Sequence, residues 1–155
     1  EMLRSLVGSE MCIRDRCNAT DLPLIWVSAK DKYLYLSASD LVLVASGTAT
    51  LEVALCRCPM VVLYKLSAFS YALLSRLVHS RYISLPNILL DKAVVPELIQ
   101  HQANVKTLLQ ATANWLSSSD KIIQAKEDFA RLYQILHQDT DRLSVQAISR
   151  LINQT

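Results

Sequence analysis

The chain has 155 residues, enough for one compact domain with a real core. Hydrophobic residues at 52% and charged residues at 19% exclude a disordered chain, and a net charge of +2 is too small to imply a nucleic-acid partner. No apolar run approaches a membrane span and the amino terminus lacks a signal-peptide pattern, so the cytoplasm is the expected compartment.

The first seventeen residues, EMLRSLVGSEMCIRDRC, show neither helical nor strand periodicity. Their SLVGSEMCIRDR core resembles a translated adapter-like sequence, so residues 1–17 are expected to be a non-native leader and residues 18–155 the folded domain. Cys12 and Cys17 fall in that leader. Cys56-Arg57-Cys58 lacks the two-residue gap of zinc and redox motifs, and no second ligand pair follows it. Free thiols and no metal are expected.

Leu24-Ile25-Trp26-Val27 reads as a short buried strand after Pro23, and Lys30 to Ser39 as a short helix. Asp40 to Ala45 is a near-continuous run of leucine and β-branched residues, the signature of a strand covered on both faces. A helix follows from about Ala49 to Arg57, stopped by Pro59, and Met60 to Tyr64 is a second buried strand. Strand, helix and strand in this order predict a βαβ unit with a parallel pair and a right-handed connection.

Ser67 to His79 reads as a helix with an apolar stripe. In YISLPNILLDKAVVPELIQ the pattern predicts a short strand, a proline turn, a loop, and a helix opened by Pro96. Three helical segments follow, near 104–117, 120–138 and 140–153. The fold class is therefore α/β: a parallel sheet flanked by helices, Rossmann-like, ending in a helical region.

The stretch Ala45-Ser46-Gly47-Thr48-Ala49-Thr50-Leu51-Glu52 holds one of only two glycines, placed between strand and helix. Glycine there permits positive φ and close approach of a ligand, while the helix start offers N–H groups and a positive dipole end to an anion. Ser46, Thr48 and Thr50 add hydroxyls. Glu52 shares a helical face with Thr48, at four residues rather than the three of a capping box, and a carboxylate can accept from both hydroxyls of a ribose. An ordinary strand-to-helix turn, with Glu52 merely favourable near a helix N-terminus, accounts for the same residues. The spacing is neither a P-loop nor a nucleophile elbow.

Taken together, ASDLVLVASGTATLEVALCRCPMVVLYK, YISLPNILL and VPELIQ resemble the lipid-A-disaccharide synthase family of glycosyltransferases, over about residues 22–155. The resemblance implies the carboxyl-terminal, donor-binding half of a two-domain GT-B enzyme. That family transfers 2,3-diacylglucosamine from its UDP conjugate to 2,3-diacylglucosamine 1-phosphate and releases UDP with inversion, without a metal cofactor. It implies that Ser46, Gly47, Thr48, Ala49 and Thr50 line the diphosphate and that Glu52 holds the ribose. Asn87 would face the nucleotide or sugar, and Glu97 and Gln100 would border the same cleft. Asn87 as a turn former, and Glu97 as a first-turn partner of a helix dipole behind Pro96, are the simpler alternatives.

Lys65, Arg76 and Arg81 are candidate phosphate partners or a solvated basic face. His79, His101 and His137 have no catalytic or ligand spacing, and Trp115 fits helix packing. The family's catalytic aspartate belongs to an acceptor-binding domain expected upstream, and a glycine-containing loop at the start of this half has no counterpart here. No catalytic residue is therefore expected in the chain, and no turnover by it alone. A homodimer and peripheral attachment to the cytoplasmic face of the inner membrane are further implications. The donor half of another GT-B enzyme (a 2-epimerase or the peptidoglycan glucosaminyltransferase) and a non-catalytic helical interaction module are the alternatives.

Overall fold

A computed structural model describes residues 23–67 and 80–152. The helix expected over Ser67 to His79, with Arg76 and His79, lies outside the described residues but for Ser67. The described residues fall in two units, one ending at Lys32 and the other beginning at Tyr33. In the first, the stretch expected as a buried strand has no regular structure, and Ile25 and Trp26 are 74% and 50% exposed. A buried strand needs a hydrogen-bonding neighbour, and the described sheet does not include these residues. A turn follows, with Ser28 Oγ donating to Asp31 Oδ2 at 2.7 Å.

Helix α1 spans Lys32–Ala38, strand β1 Val42–Ala45, helix α2 Ala49–Leu55 and strand β2 Met60–Tyr64. The expected βαβ unit is present: β1 and β2 are parallel, with register from Val42↔Met60 to Ala45↔Leu63. Helix α2 stops before Pro59 is reached. Arg57 takes a left-handed φ of 56°, its N–H donates to Ala54 O, and Cys58 N–H donates to Val53 O. These two bonds close a Schellman motif with arginine where glycine is usual.

The next segment departs from its sequence pattern. Leu85–Leu90 is a helix, α3, with Pro86 in its first turn, where a proline turn and loop were expected. The short strand expected just before it is absent from the described residues 80–84, and the helix expected behind Pro96 is instead strand β3, Glu97–Ile99, parallel to β2 with Val62↔Glu97. Proline tolerates either start. The choice falls to the sheet, because Val62 N–H finds its acceptor in Pro96 O at 3.0 Å. The sheet order is β1-β2-β3. Among the described residues β1 alternates rather than being covered on both faces, and Leu43 is 52% exposed.

A 3₁₀ turn, Gln100–Gln102, leads to helices α4 (Val105–Leu116), α5 (Ser119–Leu136) and α6 (Thr140–Ile152). These match the three helical segments read from the sequence to within two residues at each end. Asn104 and Ser118 cap α4 and α5 through their side chains, and Asp139 Oδ1 accepts from Arg142 N–H at the start of α6.

The core lies where β2 meets the helices. Met60, Val61 and Val62 are fully buried, and α5 packs Phe129 and Leu132 against α2 and α3. Trp115, on α4, donates Nε1–H to Met60 O at 3.0 Å, which ties α4 to the start of β2. Asp128, 2% exposed, accepts from Lys92 Nζ at 2.6 Å and so fastens the segment after α3 to α5. Arg131, at 3.7 Å from Asp128 Oδ1, is a second cation on the same buried carboxylate.

Phe129→Ala is expected to lower unfolding free energy by about 3–5 kcal/mol through the cavity it leaves. Ile123→Ala, on the exposed side of the same helix, should change it by under about 0.5 kcal/mol. Urea unfolding followed by circular dichroism measures both, and equal effects would mean that α5 is not docked this way.

Candidate functional site

The carboxyl ends of all three parallel strands face one edge of the sheet. Ser46-Gly47 follows β1, Lys65-Leu66 follows β2 and Gln100 follows β3. Ligands of open parallel sheets bind at this edge, since the helices that follow the strands turn their N-termini toward it.

Gly47 has φ +145°, a conformation that side chains rarely adopt, and among the described residues none beyond its two chain neighbours comes within 4 Å of where its Cβ would stand. The glycine is thus required by backbone geometry and opens onto space rather than onto packing. Its carbonyl accepts from Thr50 N–H at 3.1 Å and Thr50 Oγ1 at 2.7 Å. Thr50 is fully buried, so its hydroxyl braces the turn from within. Thr48 is the N-cap residue, exposed, and its side chain makes no capping bond. Among the described residues, nothing accepts from the N–H groups of Gly47, Thr48 or Ala49. Those donors point the chemistry of the turn toward an anion.

Ser46 is fastened on both sides. Its N–H donates to Leu63 O at 3.2 Å, extending the β1–β2 ladder. Its Oγ donates to Ile83 O at 2.8 Å, across 37 residues of sequence. Glu52 is half-buried on α2 and accepts from Tyr33 Oη at 3.2 Å. Tyr33, on α1, is therefore part of the neighbourhood, although the sequence offered no reason to single it out.

Asn87 and Glu97 are brought together. Asn87, 1% exposed, donates through Nδ2 to Val95 O at 2.8 Å and to Glu97 Oε1 at 2.9 Å. Its Oδ1 accepts from Val94 N–H at 2.8 Å and Val95 N–H at 3.0 Å. All four hydrogen-bonding positions of the amide are occupied. Glu97 accepts from Ile83 N–H through Oε2 at 2.9 Å. Its Oε1 accepts from Ser84 N–H at 2.9 Å and Ser84 Oγ at 2.6 Å. Because Glu97 begins a strand, the alternative of a helix-dipole partner behind Pro96 is overturned. Gln100 accepts from Leu66 N–H at 2.7 Å and donates to Leu66 O at 3.2 Å, a two-point clamp on the chain leaving β2.

The remaining candidates scatter. Lys65 is exposed at the end of β2, and Arg81 lies over the Tyr82 ring at 5.6 Å. His137 stacks on Tyr133, and His101 is exposed. Among the described residues no group of three or more His, Cys, Asp or Glu could hold a metal ion, and Cys56 and Cys58 are free thiols. Burial, with Cys56 nearby a second cause, pushes the Cys58 thiol up to about 11, and its Sγ donates to Ser39 O. It is not a nucleophile at neutral pH. A separate cavity of about 600 Å³ lies between the segment 92–96, α4 and α5, and is lined by Val94 and Val95 but by none of the candidate site residues.

The family model described as lipid-A-disaccharide synthetase matches residues 12–151. The chain is 43% identical over 136 residues to the lipid-A-disaccharide synthase of Neisseria meningitidis serogroup A, covering 88% of the chain and 35% of the relative. It is 47% identical over 111 residues to that of Neisseria gonorrhoeae, covering 72% and 28%. To that of Pasteurella multocida it is 38% identical over 140 residues, covering 88% and 36%. The chain thus spans about a third of the length of these relatives.

Asn87→Asp tests the buried network. The new carboxyl must carry a proton to face Glu97 Oε1 and Val95 O, so its pKa in the folded state is raised above the unfolded value of about 4. Stability relative to the parent is then retained below about pH 4 and lost as pH rises toward neutrality. Urea midpoints of variant and parent at pH 4 and pH 7 measure this, and a deficit independent of pH would contradict the network.

Proposed function

Since the chain belongs to the lipid-A-disaccharide synthase family, we propose that it is the donor-binding part of a GT-B glycosyltransferase. The reaction is transfer of 2,3-diacylglucosamine from its UDP conjugate to 2,3-diacylglucosamine 1-phosphate, with release of UDP. Residues from about 18 onward form this part, and the groups that attack and deprotonate come from the rest of the full-length protein. Alone, the 155 residues hold UDP without turning over.

The observation that carries the reading is the turn at Gly47: a positive-φ glycine opening onto space, at the carboxyl end of a parallel strand, with N–H groups of Gly47 and Thr48 available. A diphosphate seated there meets several donors at once. Negative charge grows on it as the sugar departs, so the donors act most strongly in the transition state. Glu52, on which Tyr33 Oη donates to one oxygen, is the group assigned to the ribose, because a carboxylate can accept from both of its hydroxyls.

Among the described residues no helix is long and apolar enough to cross a membrane. Acylated substrates nonetheless reside in a bilayer, which supports peripheral attachment at the cytoplasmic face of the inner membrane. Helix α6 leaves Val145, Ile148 and Ile152 63%, 57% and 68% exposed at helical spacing. That face favours a subunit contact in a homodimer.

Titration of the chain with UDP, followed by amide NMR, is expected to shift Ser46, Gly47 and Thr48 first. Glu52→Ala should weaken UDP and uridine alike, by roughly tenfold or more, because both carry the ribose. Saturable binding that leaves the turn's signals in place would sink the assignment.

A further inference from the structure

The Glu97 carboxylate has four donors on it: Ile83 N–H, Ser84 N–H, Ser84 Oγ–H and Asn87 Nδ2–H. Three of them fall on Oε1 and one on Oε2, so most of the roughly four acceptor sites of the carboxylate are taken by the protein itself. It also carries the wrong sign to meet a diphosphate directly. Yet it is connected to the Gly47 turn. The peptide unit joining Ile83 to Ser84 gives its N–H, that of Ser84, to Glu97 Oε1 at 2.9 Å and takes the Ser46 hydroxyl proton on its carbonyl, that of Ile83, at 2.8 Å. An N–H bound to an anion strengthens the acceptor at the other end of the same peptide unit or chain of hydrogen bonds.

From this geometry we infer that Glu97 is a positioning residue: through the Ile83–Ser84 peptide it holds Ser46, and so sets the Gly47 turn for a diphosphate without touching the ligand. The inference rests on the proposed seat of the diphosphate at that turn, and it reassigns one group within it. The Ser46 hydroxyl has its proton committed to Ile83 O, so the side chain acts as a tether and the turn binds through its backbone N–H groups. Glu97 and Ser46 are therefore two ends of one device, 51 residues apart in sequence but joined by the Ile83–Ser84 peptide unit.

Glu97→Gln is a selective probe. The amide keeps one oxygen, which remains with the three donors at Oε1, and places its NH₂ against Ile83 N–H, where two donors now meet. In the ligand-free chain the amide signals of Ser46, Gly47 and Thr48 are expected to move although the substitution lies outside the turn. UDP affinity should fall about tenfold while uridine affinity stays within about twofold, because only UDP uses the turn. Ser46→Ala should give the same split, and the double variant no further loss, since both cut one connection.

Additive losses, or equal losses for UDP and uridine, would overturn the inference, as would unmoved turn signals in the ligand-free variant. If UDP binds elsewhere on the parent protein, the proposed seat fails, and the ligand-free signals still decide whether Glu97 controls the turn. Should Glu97→Gln not fold, Ser46→Ala alone decides: displaced Ile83 and Ser84 amides with the UDP-only loss support the tether, and their absence refutes it.

Discussion

A single carboxylate with four donors on it organises the edge of the sheet where the ligand site is proposed. Glu97 opens β3, yet its side chain reaches back to gather Ile83, Ser84 and Asn87 from the segment before it. A half-buried anion of this kind is stable only if its charge is answered by donors, and three of these four come from groups that themselves needed acceptors at a loop. The loop and the carboxylate therefore solve each other's problem. Asn87 completes the arrangement by satisfying Val94 and Val95, where the chain turns into β3.

The same edge concentrates unusual backbone. Gly47, after β1, has φ +145°, and Gln100, after β3, has φ +52° without being glycine. For a residue with a Cβ the left-handed region costs about 1–2 kcal/mol, so something must hold it. For Gln100 the holder is its own side chain, clamped on both polar atoms of Leu66. Arg57 and Asp91 take the same region at helix ends, where closing hydrogen bonds supply the return. A chain with two glycines thus uses one where open space is needed and does without elsewhere.

The βαβ unit was legible because its signals are local: an apolar run, a glycine turn, a helical stretch and a proline, all within 25 residues from Asp40 to Tyr64. The last three helices were legible from their apolar spacing. The region from Tyr82 to Gln100 was not, because Pro86 and Pro96 are each compatible with a helix start, a turn or a strand start. Only pairing with β2 decides, and that is a long-range fact. Leu24 to Val27 misled for the converse reason, since an apolar run implies burial only where a neighbour exists to cover it. The family resemblance pointed to Asn87, Glu97 and Gln100 as one set, and two of them do share a hydrogen bond. That their polar atoms are engaged with the protein's own backbone could not be read from spacing, nor could the link from Ser46 to Ile83.

In the proposed site, residues that meet the ligand are distinct from residues that shape the place it occupies. A crystal structure of this chain with UDP tests that separation most directly. It should show the diphosphate oxygens about 2.7–3.2 Å from the N–H groups of Gly47 and Thr48, with Glu97 still on Ile83 and Ser84 and Ser46 Oγ still on Ile83 O. A diphosphate bound away from the turn, or a Glu97 carboxylate withdrawn from Ile83 to contact the nucleotide, would contradict it.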